Sequence, residues 1–161
     1  MLEDEESLTK VHISLPNHWA IDGESLWALP LGNDLYEIRN TPFHAYGINW
    51  GDIVRAPADN MDQIPEVQEV VRPSGHETFR IFFNSRLDEN NQDSILTSLQ
   101  SLDLSWERCD DRFVALNLQP AAQYDAVYDK LSELQREEVL GFETCQRRLP
   151  GGFDAAPPEQ D

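Results

Sequence analysis

Apolar and polar residues alternate over short stretches in the first half of the chain, and a turn signal follows each stretch. In the first stretch, Val11, Ile13 and Leu15 point to one side, while His12 and Ser14 point to the other. This period of two predicts strands at residues 10–15, 24–31, 35–38, 53–56 and 67–71. Turn signals about every 8–12 residues are typical of small sheets that bend strongly or close. We therefore expect a small bent β-sheet or barrel over residues 10–75.

The second half of the chain mixes this period with the helical one of about 3.6 residues. Alternation predicts a strand at 78–83, a nearly continuous apolar run predicts one at 113–118, and 106–109 and 139–145 are further candidate strands. Helical spacing predicts helices over 95–102 and 124–134. The order strand, helix, strand, strand, helix, strand is the ferredoxin-like βαββαβ pattern, expected over 76–148. The predicted fold is thus α+β, with the N-terminal sheet packed on the ferredoxin-like part. Residues 1–9, which are acidic, and the tail 149–161 are expected to be disordered.

The charge composition of the chain excludes some classes of function. The chain has 161 residues with 30 acidic and 12 basic side chains, for a formal net charge of −18, and each half carries −9. No basic stripe is present to neutralise phosphates or anionic lipids, so direct nucleic-acid binding and membrane docking are excluded.

An acidic start and the lack of a long apolar run predict a cytoplasmic protein. Adaptation to a high-salt habitat is a second explanation of the acidity, and a homodimer through a sheet edge is compatible with the fold.

The second predicted helix carries an acidic stripe at intervals of four residues: Asp125, Asp129, Glu133 and Glu137. Like charges at this spacing repel each other, and a basic partner would relieve that repulsion. We therefore expect a non-enzymatic acidic binding protein, an inhibitor or immunity-type protein that neutralises a basic protein partner such as a toxin. Asp110 and Asp111 are further candidate contact residues. A mimic of DNA is a variant of this hypothesis that requires acids spaced like backbone phosphates.

The alternative hypothesis is a small enzyme or small-ligand sensor with a site between the two parts. Its candidate residues come from two unusual segments, 42–52 and 72–78: His44, Tyr46, Asp52, Ser74 and His76. His44 would act as acid or base and Asp52 would orient it. A purely structural interpretation assigns the first segment to a barrel corner with positive-φ glycines, and the second to a Pro-Ser-Gly turn. The Gly-x-Ser-x-Gly nucleophile motif is absent, the four histidines lack metal-ligand spacing, and no cofactor is expected.

Several short runs together resemble a known family. They are Glu24-Ser25-Leu26-Trp27-Ala28, Leu31-Gly32-Asn33-Asp34-Leu35-Tyr36, Asn40-Thr41-Pro42-Phe43 to Tyr46-Gly47, Gly51-Asp52-Ile53-Val54, and Ser74-Gly75-His76 to Phe79-Arg80. The chain is similar, over roughly residues 10–148, to an uncharacterised family of small bacterial proteins that is catalogued only as a domain of unknown function. The resemblance implies a bacterial cytosolic protein with one recurring two-part domain. It implies no catalytic residue and no cofactor.

Overall fold

Two antiparallel sheets and two α-helices make up the part of the chain that the computed structural model describes, residues 7–18, 20–60 and 63–155. The predicted α+β class is confirmed. The chain divides into two units. The described parts of Met1–Ser74 and Gln146–Asp161 form the first, and Gly75–Cys145 forms the second. The prediction instead ended the second part at residue 148 and left the remaining residues as a tail.

The first unit is a five-stranded sheet in which neighbours along the chain are neighbours in space. Its strands are β1 (Thr9–Ser14), β2 (Gly23–Gly32), β3 (Leu35–Ile38), β4 (Ile53–Arg55) and β5 (Glu69–Arg72). Asn33 and Asp34 join β2 to β3 with φ angles of 57° and 64°, the paired positive values that a tight hairpin turn needs. Alternation along the strands sends one face inward, where Val11, Ile13 and Leu26 are fully buried.

A bridge also links the first strand to the segment just before β5. The His12 carbonyl accepts the Val67 N–H at 2.8 Å, and the His12 N–H donates to the Pro65 carbonyl at 2.8 Å. The side chains reinforce this bridge, since His12 Nδ1 lies 2.6 Å from Glu66 Oε2. Residue 67 was predicted to begin the fifth strand, but β5 begins only at Glu69 because Val67 pairs with β1 instead.

The C-terminal segment packs into the first unit. Phe153 is 5% exposed within the core, and its carbonyl accepts the Tyr46 N–H at 2.8 Å. The Asp154 carboxylate accepts the Asn17 N–H. These contacts order residues that were predicted to lie in a disordered tail, because one aromatic ring and one capping carboxylate suffice to hold a short segment. At the other end, Thr9 pairs with Ala28, so the predicted disordered N-terminus was too long. Residues 1–6 and 156–161 lie outside the described residues.

The second unit is a four-stranded antiparallel sheet with two helices. Its strands are β6 (Glu77–Phe83), β7 (Leu104–Arg108), β8 (Phe113–Leu118) and β9 (Leu140–Thr144), in the order β7–β8–β6–β9. The helices are α1 (Glu89–Leu99), continued by a 3₁₀ turn at Gln100–Leu102, and α2 (Tyr124–Arg136). Apolar side chains from both helices and from one face of the sheet form a single core, with Phe79, Leu99 and Leu131 fully buried.

Helix α1 begins earlier than its apolar pattern predicted. The Asp88 side chain caps the helix by accepting the Asn91 N–H at 2.8 Å. In the first turns a polar residue, Gln92, takes the buried position; its Nε2 donates to the Leu87 carbonyl and its Oε1 accepts from Arg108. The apolar pattern places the helix start only at residue 95, because a buried, hydrogen-bonded glutamine leaves no hydrophobic signal.

Candidate functional site

Helix α2 presents its acidic residues to solvent and its apolar residues to the core. Val127, Leu131 and Leu134 are buried, whereas the four stripe residues are exposed: Asp125, Asp129, Glu133 and Glu137. Among the residues that the structure describes, none of these four carboxylates forms an ion pair, although Lys130 and Arg136 are nearby in sequence. The predicted stripe is therefore a row of exposed carboxylates along α2, hereafter the acidic face.

The positions of these acids along α2 differ in their effect on the helix. Asp125 lies in the first turn, where a negative charge is favoured by the partial positive charge of the helix N-terminus. Glu133 lies close to the other end and Glu137 is the C-cap, where the same dipole disfavours negative charge. Helix stability thus accounts for Asp125 but not for the acids of the last turns.

The two acids of the β7–β8 turn have local partners. Asp110 Oδ1 accepts the N–H groups of Arg112 at 2.9 Å and Phe113 at 2.8 Å. These two bonds to the ionised form lower the pKa of Asp110 below its ordinary value. The Asp111 carbonyl accepts from Arg108 at 3.2 Å, and its side chain is exposed. Asp110 therefore shapes the turn, whatever it contributes to binding.

A groove of about 480 Å³ runs beside the acidic face, between α2 and the C-terminal end of α1. Residues from both helices and from the 3₁₀ turn line it: Ser98, Ser101 and Leu102 on one wall, and Ala126, Asp129, Lys130 and Glu133 on the other. Two stripe residues thus form part of a concave surface. The two serines were not among the predicted site residues, although Ser98 and Ser101 are three residues apart on the polar side of the helix predicted over 95–102.

The loop that carries the alternative site is held by a buried carboxylate of β2. Glu24 accepts three consecutive backbone N–H groups, those of Phe43 at 2.6 Å, His44 at 3.0 Å and Ala45 at 2.9 Å. Glu24 was not among the predicted site residues. The sequence feature that could have identified Glu24 is a charged residue at an inward-facing position of an alternating strand.

Asp52, at the end of this loop, lies beside Ser74, which follows β5, in a structural arrangement. Asp52 is 2% exposed, and its two carboxylate oxygens accept the N–H groups of Asn49 and Ser74, each at 2.8 Å. The Ser74 hydroxyl donates to the Trp50 carbonyl at 2.7 Å. Gly47 and Gly51 have φ angles of 79° and 85°, as the structural interpretation predicted. Both side chains of this pair therefore brace backbone turns.

The remaining residues of the alternative site have other neighbours. The His44 ring packs edge-on against His18, with centroids 5.0 Å apart, and the Arg148 guanidinium lies 4.9 Å from the Tyr46 ring centre. His76 belongs to the second unit, where its Nδ1 lies 2.9 Å from Asn117 Oδ1. Among these five predicted residues, a direct bond joins Asp52 to Ser74.

Residues 24–142 match the family described as a domain of unknown function, DUF4265. This stretch is well over half of the chain and includes strands of both units and the two helices of the second unit. The chain belongs to the DUF4265 family. The resemblance seen in the sequence runs is thereby confirmed. The family description assigns no activity, so the geometry of the site carries the functional argument.

A solved structure described as a hypothetical protein from Neisseria gonorrhoeae shares the fold of this DUF4265 member. It matches with a TM-score of 0.73 and 14% sequence identity, over 87% of this chain and 95% of that one. No curated protein matches the chain. In the described part of the chain, no helix has the length and apolar character needed to cross a bilayer. The same residues contain no group of three or more His, Cys, Asp or Glu side chains arranged to hold a metal ion.

Proposed function

We propose that this DUF4265 protein is a non-enzymatic acidic binding protein of the bacterial cytoplasm that neutralises a basic protein partner, such as a toxin, in the manner of an inhibitor or immunity protein. One observation carries the proposal. The acidic face of α2 exposes four carboxylates that form no ion pair among the described residues. Such a face is complementary to a basic surface and needs no rearrangement to meet it.

The net charge of −18 adds a long-range electrostatic attraction for a basic partner to that of the acidic face. A field of one sign raises the local concentration of an oppositely charged partner and speeds association by about 10- to 1,000-fold at low ionic strength. Binding would also remove the repulsion between neighbouring carboxylates of the stripe. A basic enzyme that acts on nucleic acid already carries a surface that recognises a row of negative charges, so it is the kind of target that this face fits.

Folding does not require the acids at the end of α2. Glu133 and Glu137 lie where the helix dipole disfavours negative charge, and they are one turn apart. Residues that cost helix stability and contact solvent are typical of surfaces that act in binding. The positions of Glu133 and Glu137 therefore favour a binding role for the acidic face over an ordinary solvated helix side.

We also propose the finer architecture that fits this role. The order β7–β8–β6–β9 with two helices supports a ferredoxin-like second unit. The bridge between His12 and Glu66 supports a barrel-like closure of the first unit. Both architectures are stable frames on which a rigid helix face can be presented.

The test uses two variants of equal charge. The first neutralises the acidic face with Asp125→Asn, Asp129→Asn, Glu133→Gln and Glu137→Gln. The control neutralises four exposed acids elsewhere with Asp22→Asn, Asp34→Asn, Asp59→Asn and Asp103→Asn. Each removes four charges from −18, giving −14. The tagged proteins would be used to capture partners from the host lysate at low and at high salt, with identification by mass spectrometry.

We expect the unmodified protein and the control to retain one basic protein that is lost as salt rises, and the face variant to lose it at low salt. Equal retention by all three proteins would contradict the proposal. An empty capture with the unmodified protein would favour the alternative, a small enzyme or ligand sensor. The next step would then be a small-molecule screen with His44→Ala and His76→Ala as controls.

A further inference from the structure

The groove between α1 and α2 presents hydrogen-bond acceptors on both walls. On the α2 wall, Asp129 and Glu133 are one helical turn apart, which places their carboxylates side by side. On the α1 wall, the Ser98 hydroxyl donates to the Ile95 carbonyl at 2.6 Å, and the Ser101 hydroxyl donates to the Ser98 carbonyl at 3.2 Å. Since each hydroxyl proton is used in the helix, the lone pairs of both serine oxygens are what remain for a ligand.

The rest of the lining limits the shape and charge of an occupant. Leu102 and Ala126 contribute apolar surface, which suits a hydrocarbon stem rather than a bare ion. Lys130 contributes an ammonium group, so the two carboxylates and this cation leave a net charge of −1 in the groove. The occupant that fits is a single positive charge with many donors, carried on an apolar stem.

We propose that the groove between α1 and α2 binds an arginine side chain of the basic partner, a proposal that rests on the function proposed above. The guanidinium would donate to Asp129 and Glu133 on one wall and to the hydroxyl oxygens of Ser98 and Ser101 on the other. Its methylene stem would lie against Leu102 and Ala126. The groove thereby selects an arginine among the basic side chains of the partner. The outer acids, Asp125 and Glu137, attract any positively charged surface.

Arginine fits this site better than lysine for geometric reasons. A guanidinium has five N–H donors in a fixed plane and can bond carboxylates on more than one edge, whereas an ammonium is a compact, strongly hydrated charge. The carboxylates of α2 and the serine oxygens of α1 and the 3₁₀ turn, which line the same groove, match the first arrangement.

The test uses two short peptides of equal length and charge as probes, an arginine–glycine repeat and a lysine–glycine repeat, titrated against the ¹⁵N-labelled full chain by NMR. Asp129→Asn with Glu133→Gln alters the groove, and Asp125→Asn with Glu137→Gln is the matched control outside it. Ala126→Leu and Ser98→Tyr fill the groove from opposite walls without changing charge, so one poorly folded variant does not decide the result.

We expect the arginine peptide to bind about five- to tenfold more tightly than the lysine peptide, with shifts concentrated at groove amides. The groove pair and either filling variant should remove that preference, whereas the outer pair should weaken both peptides alike. Equal binding of the two peptides, or equal loss from the groove and outer pairs, would overturn the groove assignment while leaving the acidic face intact. The absence of shifts at groove amides would overturn it as well. Failure of the proposed function is distinguished by the capture experiment, in which the face variant would then retain its partner.

Discussion

The carboxylate of Glu24, near the start of β2, accepts the backbone N–H of Ala45 at 2.9 Å in the interior of the first unit. The same side chain accepts the N–H groups of Phe43 and His44. One buried carboxylate therefore holds the loop that carries three aromatic residues and a histidine. The loop is a braced part of the fold, which explains the concentration of unusual residues there without reference to catalysis.

Replacing Glu24 should destabilise the protein. Glu24→Ala removes the acceptor shared by three backbone donors, and we expect a loss of about 3 kcal/mol in the free energy of unfolding, measured by urea denaturation. Glu24→Gln keeps one acceptor oxygen in place and should cost less. Equal stability of Glu24→Ala and the unmodified protein would contradict the bracing role.

Alanine substitutions at Gly47 and Gly32 distinguish the cost of backbone strain from the cost of a steric clash. Both have positive φ, 79° and 90°, but a Cβ at Gly47 would lie 2.9 Å from the Arg147 Cβ, whereas at Gly32 nothing lies within 4 Å. Gly32→Ala should therefore cost about 1 kcal/mol from backbone strain alone. Gly47→Ala should cost more, because the C-terminal segment must also shift. Thermal unfolding of both variants tests this, and a smaller cost at Gly47 would show that the segment does not pack there.

A charge reversal at Glu137 should change protein stability and partner binding in opposite directions. Glu137→Lys places a positive charge at the C-terminal end of α2 and removes the repulsion with Glu133. We expect the free energy of unfolding to rise by about 0.3–1 kcal/mol. Capture of the basic partner should weaken in the same variant. Asp125→Lys is the matched control, since at the N-terminal end the same change should lower both stability and binding.

The pH dependence of stability should include a contribution from Asp110. Its pKa is lowered in the folded protein by bonds from the Arg112 and Phe113 N–H groups, so the ionised form stabilises the fold. This stability is present above the unfolded-state pKa and is lost as pH falls through the folded-state pKa. Asp110→Asn cannot ionise. We expect the stability difference between the unmodified protein and this variant to be smallest in strong acid, to grow as pH rises to the ordinary aspartate pKa, and then to level off. A difference that does not vary with pH would contradict it.

Sequence reasoning succeeded where the signal is local. The period of two identified β1 through β4 to within a residue or two, and the period of about 3.6 identified α2 with its wet and buried sides. It failed at Gln92 and at Val67. At Gln92 a hydrogen-bonded amide replaces an apolar core residue, and at Val67 an apolar residue bonds to β1 rather than to the neighbouring strand. Neither arrangement leaves a mark in hydropathy, because each depends on a residue well separated in the chain: Arg108 donates to Gln92, and His12 accepts from Val67.

By itself, the sequence determined the α+β class, the order of the elements and the row of acids on one helix, since each follows from spacing within about a dozen residues. Tertiary structure alone decided that Glu24 would brace the loop, that Phe153 would enter the core, and that Ser98 and Ser101 would line the same groove as Asp129 and Glu133. Each of these arrangements brings together residues distant in the chain. Their geometry is set by packing, which no local pattern encodes.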